Sequence, residues 1–173
     1  CRATNYLGLV KQALVSAGYK DVPVISVNSD SRLGNLQPGF KINWLKIGRL
    51  AVVSILFSDC LSKFYHAAVV RETSKGQAAA LKDKYLGLAV KEIEKNSLSG
   101  LFKLLKDAAL EFNTISKPDL KLPQVGIVGE IYLKFNAFAH KNVTTWLIDH
   151  DIEVMPPMLS NFFLQFFVNR LTN

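Results

Sequence analysis

Residues 125–157 read VGIVGEIYLKFNAFAHKNVTTWLIDHDIEVMPP, and the architecture turns on them. Val125-Gly126-Ile127-Val128-Gly129-Glu130-Ile131-Tyr132 reads as a buried strand that ends in polar residues. A helix is expected from Phe138 or Ala139 to His150. A second strand is expected over Ile152-Glu153-Val154-Met155, stopped by Pro156-Pro157. Strand, helix, strand at this spacing makes a βαβ unit, so the two strands should run parallel with a right-handed crossover. In such sheets ligands sit outside the carboxyl ends of the strands. That rule points to Glu130, Tyr132, Lys134, Asn136 and the Met155-Pro156-Pro157 turn. A last helix is expected over Ser160 to Leu171.

Upstream, Leu7, Val10, Leu14 and Val15 form a helical stripe within residues 3–17, which Gly18 should stop. Val22-Pro23-Val24-Ile25-Ser26-Val27 reads as a short buried strand, followed by a turn-rich loop from Asn28 to Gly39. From Ile42 to about Glu72 the apolar positions are dense and free of proline, which predicts one long helix. A second is expected over Gly76 to Lys95, with Lys82, Asp83, Glu92 and Lys95 on its solvated face. A third should span Ser99 to Phe112, with Leu101, Leu104, Leu105, Ala108 and Phe112 as its stripe and Ser97 or Ser99 as N-cap. Ser116 to Pro123 reads as a linker. The expectation is an α/β fold, a three-layer Rossmann- or flavodoxin-like parallel sheet with an added helical segment. Residues 1–40 and 124–173 would form the α/β lobe, and 41–117 the helical part.

Composition narrows the function classes. Hydrophobic residues are 49% and charged residues 20%, which is globular usage and excludes a disordered or coiled-coil chain. Lys and Arg outnumber Asp and Glu by 21 to 14, a formal charge of +7 that permits anionic partners without choosing one. The basic residues are spread along the chain, and Phe162, Phe163, Phe166 and Phe167 stand at core spacing, so nucleic acid is not expected as a partner. The longest apolar run, Leu50 to Phe57, is far short of the about 20 residues that span a bilayer, so no membrane partner is expected either. Two cysteines cannot frame a disulfide scaffold, which favours a reducing, cytoplasmic compartment. The abrupt start at Cys1 suggests a piece of a longer polypeptide.

Among chemistry-bearing residues, Glu130 is notable because a carboxylate directly after a buried run is costly unless it is paired or hydrogen-bonded. It is either structural, capping a loop or pairing with Lys134 or Arg71, or part of an active site. His66 lies in an apolar helix, where a satisfied buried imidazole is the plain reading. His150 would complement a helix carboxyl terminus. Cys60 reads as a small hydrophobe, and Arg2 beside Cys1 would favour its thiolate. The Asn142-Val143-Thr144 sequon and the Gly126-x-x-Gly129 pair have bland readings, chance and close strand packing respectively.

Three blocks resemble one family. Cys1-Arg2-Ala3-Thr4-Asn5-Tyr6 resembles the Gly-Pro-Cys-Arg segment of the 2-hydroxyacyl-CoA dehydratase superfamily. The helix and Asp21-Val22-Pro23 strand that follow it also match. Gly126 to Ala139 resembles the family's Gly-Glu-Ile-Tyr … Asn-Pro-Phe-Ala signature, with Ala137 in the place of proline. Asp59-Cys60-Leu61 through Arg71-Glu72 is similar to the family's long helix near an Arg-Pro-Tyr-Glu motif, here degenerate as Val69-Val70-Arg71-Glu72. The blocks span nearly the whole chain and look most like the carboxyl-terminal region of the large CoA-substrate-specific enzyme activases.

That resemblance implies low-potential electron chemistry through a [4Fe-4S] cluster in the intact protein, linked to reductive activation of 2-hydroxyacyl-CoA dehydratase. It implies Cys1 as a cluster ligand, Arg2 and Lys134 as cofactor contacts, and Glu130, Tyr132 and Asn136 as candidate catalytic residues. Implied partners are the rest of its own polypeptide and the dehydratase or an acyl-CoA, with a homodimer as a further assembly. Four thiolates are the usual cluster complement, so the chain should be inert alone. A non-catalytic ligand-binding or interaction domain, or a dehydratase subunit proper, are the competing readings.

Overall fold

Three helices each bury a triplet of residues separated by steps of four and seven, in one order or the other. In the computed structural model, which describes residues 5–24, 43–161 and 164, they are α2 (Trp44–Val69), α3 (Gln77–Glu94) and α4 (Leu98–Ile115). Phe57, Leu61 and Ala68 of α2 meet Ala78, Tyr85 and Ala89 of α3 and Leu101, Ala108 and Phe112 of α4 in one core. Each triplet spans three helical turns on one face, the period that a helix packing on helices requires. Four of the nine are alanines, which let the backbones approach closely, while the Phe64 and Phe112 rings pack at 6.2 Å.

Local chemistry sets the helix ends. The Ser97 hydroxyl accepts the Gly100 N–H at 3.1 Å and starts α4. The α3 N-terminus has no cap from Gly76 itself; instead Glu72 accepts the Gly76 and Ala78 N–H groups at 2.6 and 2.8 Å. The ends of α2 and α4 are joined by a one-residue antiparallel bridge between Glu72 and Ser116. Across α3 and α4, the buried Tyr85 donates its hydroxyl to Glu111, which also takes Lys84. Those bonds hold the Glu111 carboxyl below its usual range, the Lys84 bond most strongly. Burial, with Glu111 beside it, pushes the Tyr85 phenol up.

Beyond this layer, β1 (Gln124–Gly126) pairs in parallel with β2 (Glu153–Met155), in the register Gln124 with Glu153, Val125 with Val154 and Gly126 with Met155. Between them lie the short helices α5 (Ile131–Phe135) and α6 (Val143–Asp149). Leu147 of α6 and Val154 of β2 are the buried hydrophobic residues of this part. The chain divides into two units, residues 1–44 and 45–173. In the first, α1 (Tyr6–Ser16) ends where Gly18, at φ +87°, turns left-handed and donates to the Val15 carbonyl, while Tyr19 donates to Leu14. Among the described residues of the second unit, no helix is long and apolar enough to cross a membrane.

The expected three-layer Rossmann-like sheet is overturned. The described residues are mostly helical, and their sheet is two parallel strands of three residues each. Two physical reasons account for this. The three long helices bury their apolar faces against each other rather than on a sheet. The run expected as one strand to Tyr132 stops at Gly126: Gly129 turns at φ +143°, Glu130 caps α5, and Val128 is 90% exposed. Of the strand expected over Val22 to Val27, residues 22–24 are irregular and 25–27 lie outside the described residues. Most of the last helix and the 28–39 loop also lie outside them.

Candidate functional site

A cleft of about 380 Å³ opens at the carboxyl ends of the two parallel strands. One wall is α2, which contributes Ser58, Asp59, Ser62 and His66. The floor comes from the strand ends, with Ile127 after β1 and Val154, Pro156 and Pro157 at and after β2. Lys134 and Phe135 of α5, His140, and Thr144 and Thr145 of α6 close the remaining side. Its volume lies at the lower end of the range for small-molecule pockets.

Hydrogen bonds set the polarity of the two imidazoles oppositely. The Nδ1 of His66 lies 2.7 Å from the Ser62 carbonyl oxygen, which can only accept, so the proton is on Nδ1 and Nε2 is an acceptor. Burial lowers the His66 pKa from its ordinary 6.5, opposed by that backbone bond and reinforced by the Lys82 charge, so the ring is neutral at pH 7. The Nδ1 of His140 instead accepts the Val143 N–H at 3.1 Å, which leaves Nε2–H as the donor of the neutral ring. The turn beside it is tight, with Lys141 and Asn142 both left-handed at φ +52° and +55°. Such conformations are uncommon outside glycine and cluster where a fold positions functional groups.

Two carboxylates fasten the cleft walls. Asp59, buried in α2, accepts the Leu159 and Ser160 N–H groups at 3.0 and 2.7 Å, which anchors the segment after Pro157. Glu153, buried in β2, accepts Arg71 Nη2 at 2.7 Å and Gln124 Nε2 at 2.8 Å. Arg71 also donates to the carbonyls of Leu120 and Ala67. This network ties the end of α2 to the start of both strands.

The residues singled out in the sequence fall in different places. Lys134, Pro156 and Pro157 line the cleft. Glu130 is exposed and accepts the Tyr132 N–H at 2.8 Å as the N-cap of α5. Asn136 accepts the Ala139 N–H at 3.1 Å in the following turn, and Tyr132 is exposed. Arg71 pairs with Glu153, and Glu72 caps α3. His150 bonds the Trp146 carbonyl at the end of α6. Cys1 and Arg2 lie outside the described residues. The sequence reading gives the α2 wall no ligand role and takes His66 as a satisfied imidazole, although Ser58, Ser62 and His66, spaced i, i+4, i+8, form a polar stripe within an apolar helix.

The chain does not supply the ligand set of an iron-sulfur cluster. It has two cysteines where a cluster takes four thiolates, and Cys60 is half-buried within α2. Among the described residues no group of three His, Cys, Asp or Glu side chains could hold a metal ion.

By fold, then, this is a helical layer joined to a minimal βαβ unit, with a polar-walled cleft at the strand ends. No protein-family model matches the chain, and no curated protein and no solved structure is significantly similar to it.

Proposed function

We propose that this chain is the ligand-binding region of a CoA-substrate-specific enzyme activase of the 2-hydroxyacyl-CoA dehydratase superfamily, and that the cleft is its ligand pocket. One observation carries the reading: Ile127, Lys134, Phe135 and Ala137, all within the Gly126-to-Ala139 block that resembles the family signature, line one cleft. In this proposal Cys1 is a single thiolate of a [4Fe-4S] cluster completed by ligands from outside the chain. No electron-transfer step is assigned to the residues described here. The test is anaerobic purification of the intact polypeptide with iron determination, alone and as Cys1→Ser. The expected result is cluster-level iron that falls in the variant. An iron-free wild type would overturn the family reading, and unchanged iron in Cys1→Ser would remove Cys1 from it.

A second reading has its own support. Arg71, Glu72, Glu130 and Asn136 each make hydrogen bonds that hold the fold together. That favours the competing reading, a non-catalytic ligand-binding or interaction domain. Acyl-CoA turnover that persists in Glu130→Gln and Asn136→Ala would support it.

A further inference from the structure

We infer that the cleft binds a monocarboxylate with an apolar body; this deepens the ligand-pocket reading and rests on it. Lys134 lines the cleft, and among the described residues no carboxylate lies within ion-pair distance of it. Its ammonium lies 5.9 Å from the centre of the Phe135 ring, the outer limit of a cation–π interaction. An ammonium so placed takes an anion. Neither Asp59, which lines the cleft, nor Glu153 is paired with it. Asp59 is committed to the Leu159 and Ser160 N–H groups, and Glu153 to Arg71 and Gln124. His140 adds a second donor of fixed tautomer, because its Nδ1 is occupied by Val143. Thr144 and Thr145 add hydroxyls. The same cleft also carries apolar surface from Ile127, Val154, Pro156 and Pro157. A carboxylate head meets the donors and a short carbon chain covers the prolines. Inorganic phosphate would satisfy the donors and leave the apolar surface wet. The cleft volume leaves room for an apolar body beyond the carboxylate.

The test is isothermal titration of the full chain with acetate, butyrate, hexanoate and inorganic phosphate, on the preparation whose iron has been measured. Butyrate should bind more tightly than acetate or phosphate. Lys134→Met should weaken butyrate by about tenfold or more, the loss of one charge-assisted hydrogen bond, while Lys91→Met, at an exposed position of α3 away from the cleft, leaves it unchanged. Should Lys134→Met fail to fold, the wild-type series decides alone, because affinity must rise with chain length from acetate to hexanoate. Phosphate binding as tightly as butyrate, equal loss in both lysine variants, or no butyrate binding would each overturn the inference. An iron-loaded protein that ignores butyrate refutes this ligand and leaves the family reading standing.

Discussion

The Arg71–Glu153 pair gives the sharpest test of how the cleft is held. Glu153 is 6% exposed, and its carboxylate is balanced by Arg71 at 2.7 Å and by the neutral Gln124 amide at 2.8 Å. Replacing Arg71 with Met keeps most of the aliphatic stem and removes the guanidinium, leaving a buried charge with one neutral partner. Breaking a buried pair from one side costs about 3–5 kcal/mol. Because Gln124 remains and the Arg71 side chain is 16% exposed, the lower end applies, about 3 kcal/mol. For a chain of this size that lowers Tm by roughly 6–12 °C. Glu153→Leu should also destabilise, since the guanidinium keeps only the Leu120 and Ala67 carbonyls. The double variant should recover much of the loss, giving a coupling of about 2 kcal/mol in a double-mutant cycle. Urea denaturation of the four proteins measures it. A cost below about 1 kcal/mol for Arg71→Met, or a coupling within about 0.5 kcal/mol of zero, would show that the pair does not join α2 to β2 as described.

Three further outcomes follow from the same contacts. Asp59→Asn retains one acceptor and turns an amide towards the other N–H, so stability should fall by about 1–3 kcal/mol and exchange at the Leu159 and Ser160 amides should speed up; unchanged exchange at both would refute the anchor. Ser97→Ala should cost about 1 kcal/mol and Ser97→Asp should restore most of it, as read from denaturation midpoints. His66 has a lowered folded pKa, so the unfolded chain binds its proton first: stability is fully present above the ordinary 6.5 and declines as pH falls from there through the lowered folded value. His66→Gln should flatten that acid slope in melts run as pH falls below 6.5, and an unaltered slope would exclude His66 as its source.

The helical part was legible because its signals are local. The period of apolar residues marked α2, α3 and α4, the Ser97 hydroxyl starts α4, and Gly18 ends α1, each through neighbours a few residues away. The parallel pairing of the two strands was also readable, since a strand–helix–strand spacing leaves few alternatives. The carboxyl-end rule then brought Lys134 and the Pro156-Pro157 turn to the cleft. Other features depended on contacts distant in sequence. An apolar run such as Val125 to Tyr132 has the same pattern whether it pairs along its length or for three residues, and only its neighbours decide. Here α2, α3 and α4 buried one another, and the run turned at Gly129 instead. The α2 wall of the cleft, the Asp59 anchor on Leu159 and Ser160, and the choice of Glu153 as the partner of Arg71 exist only once the helical layer and the strand pair are brought together. No local pattern encodes which distant backbone or side chain will meet a buried charge.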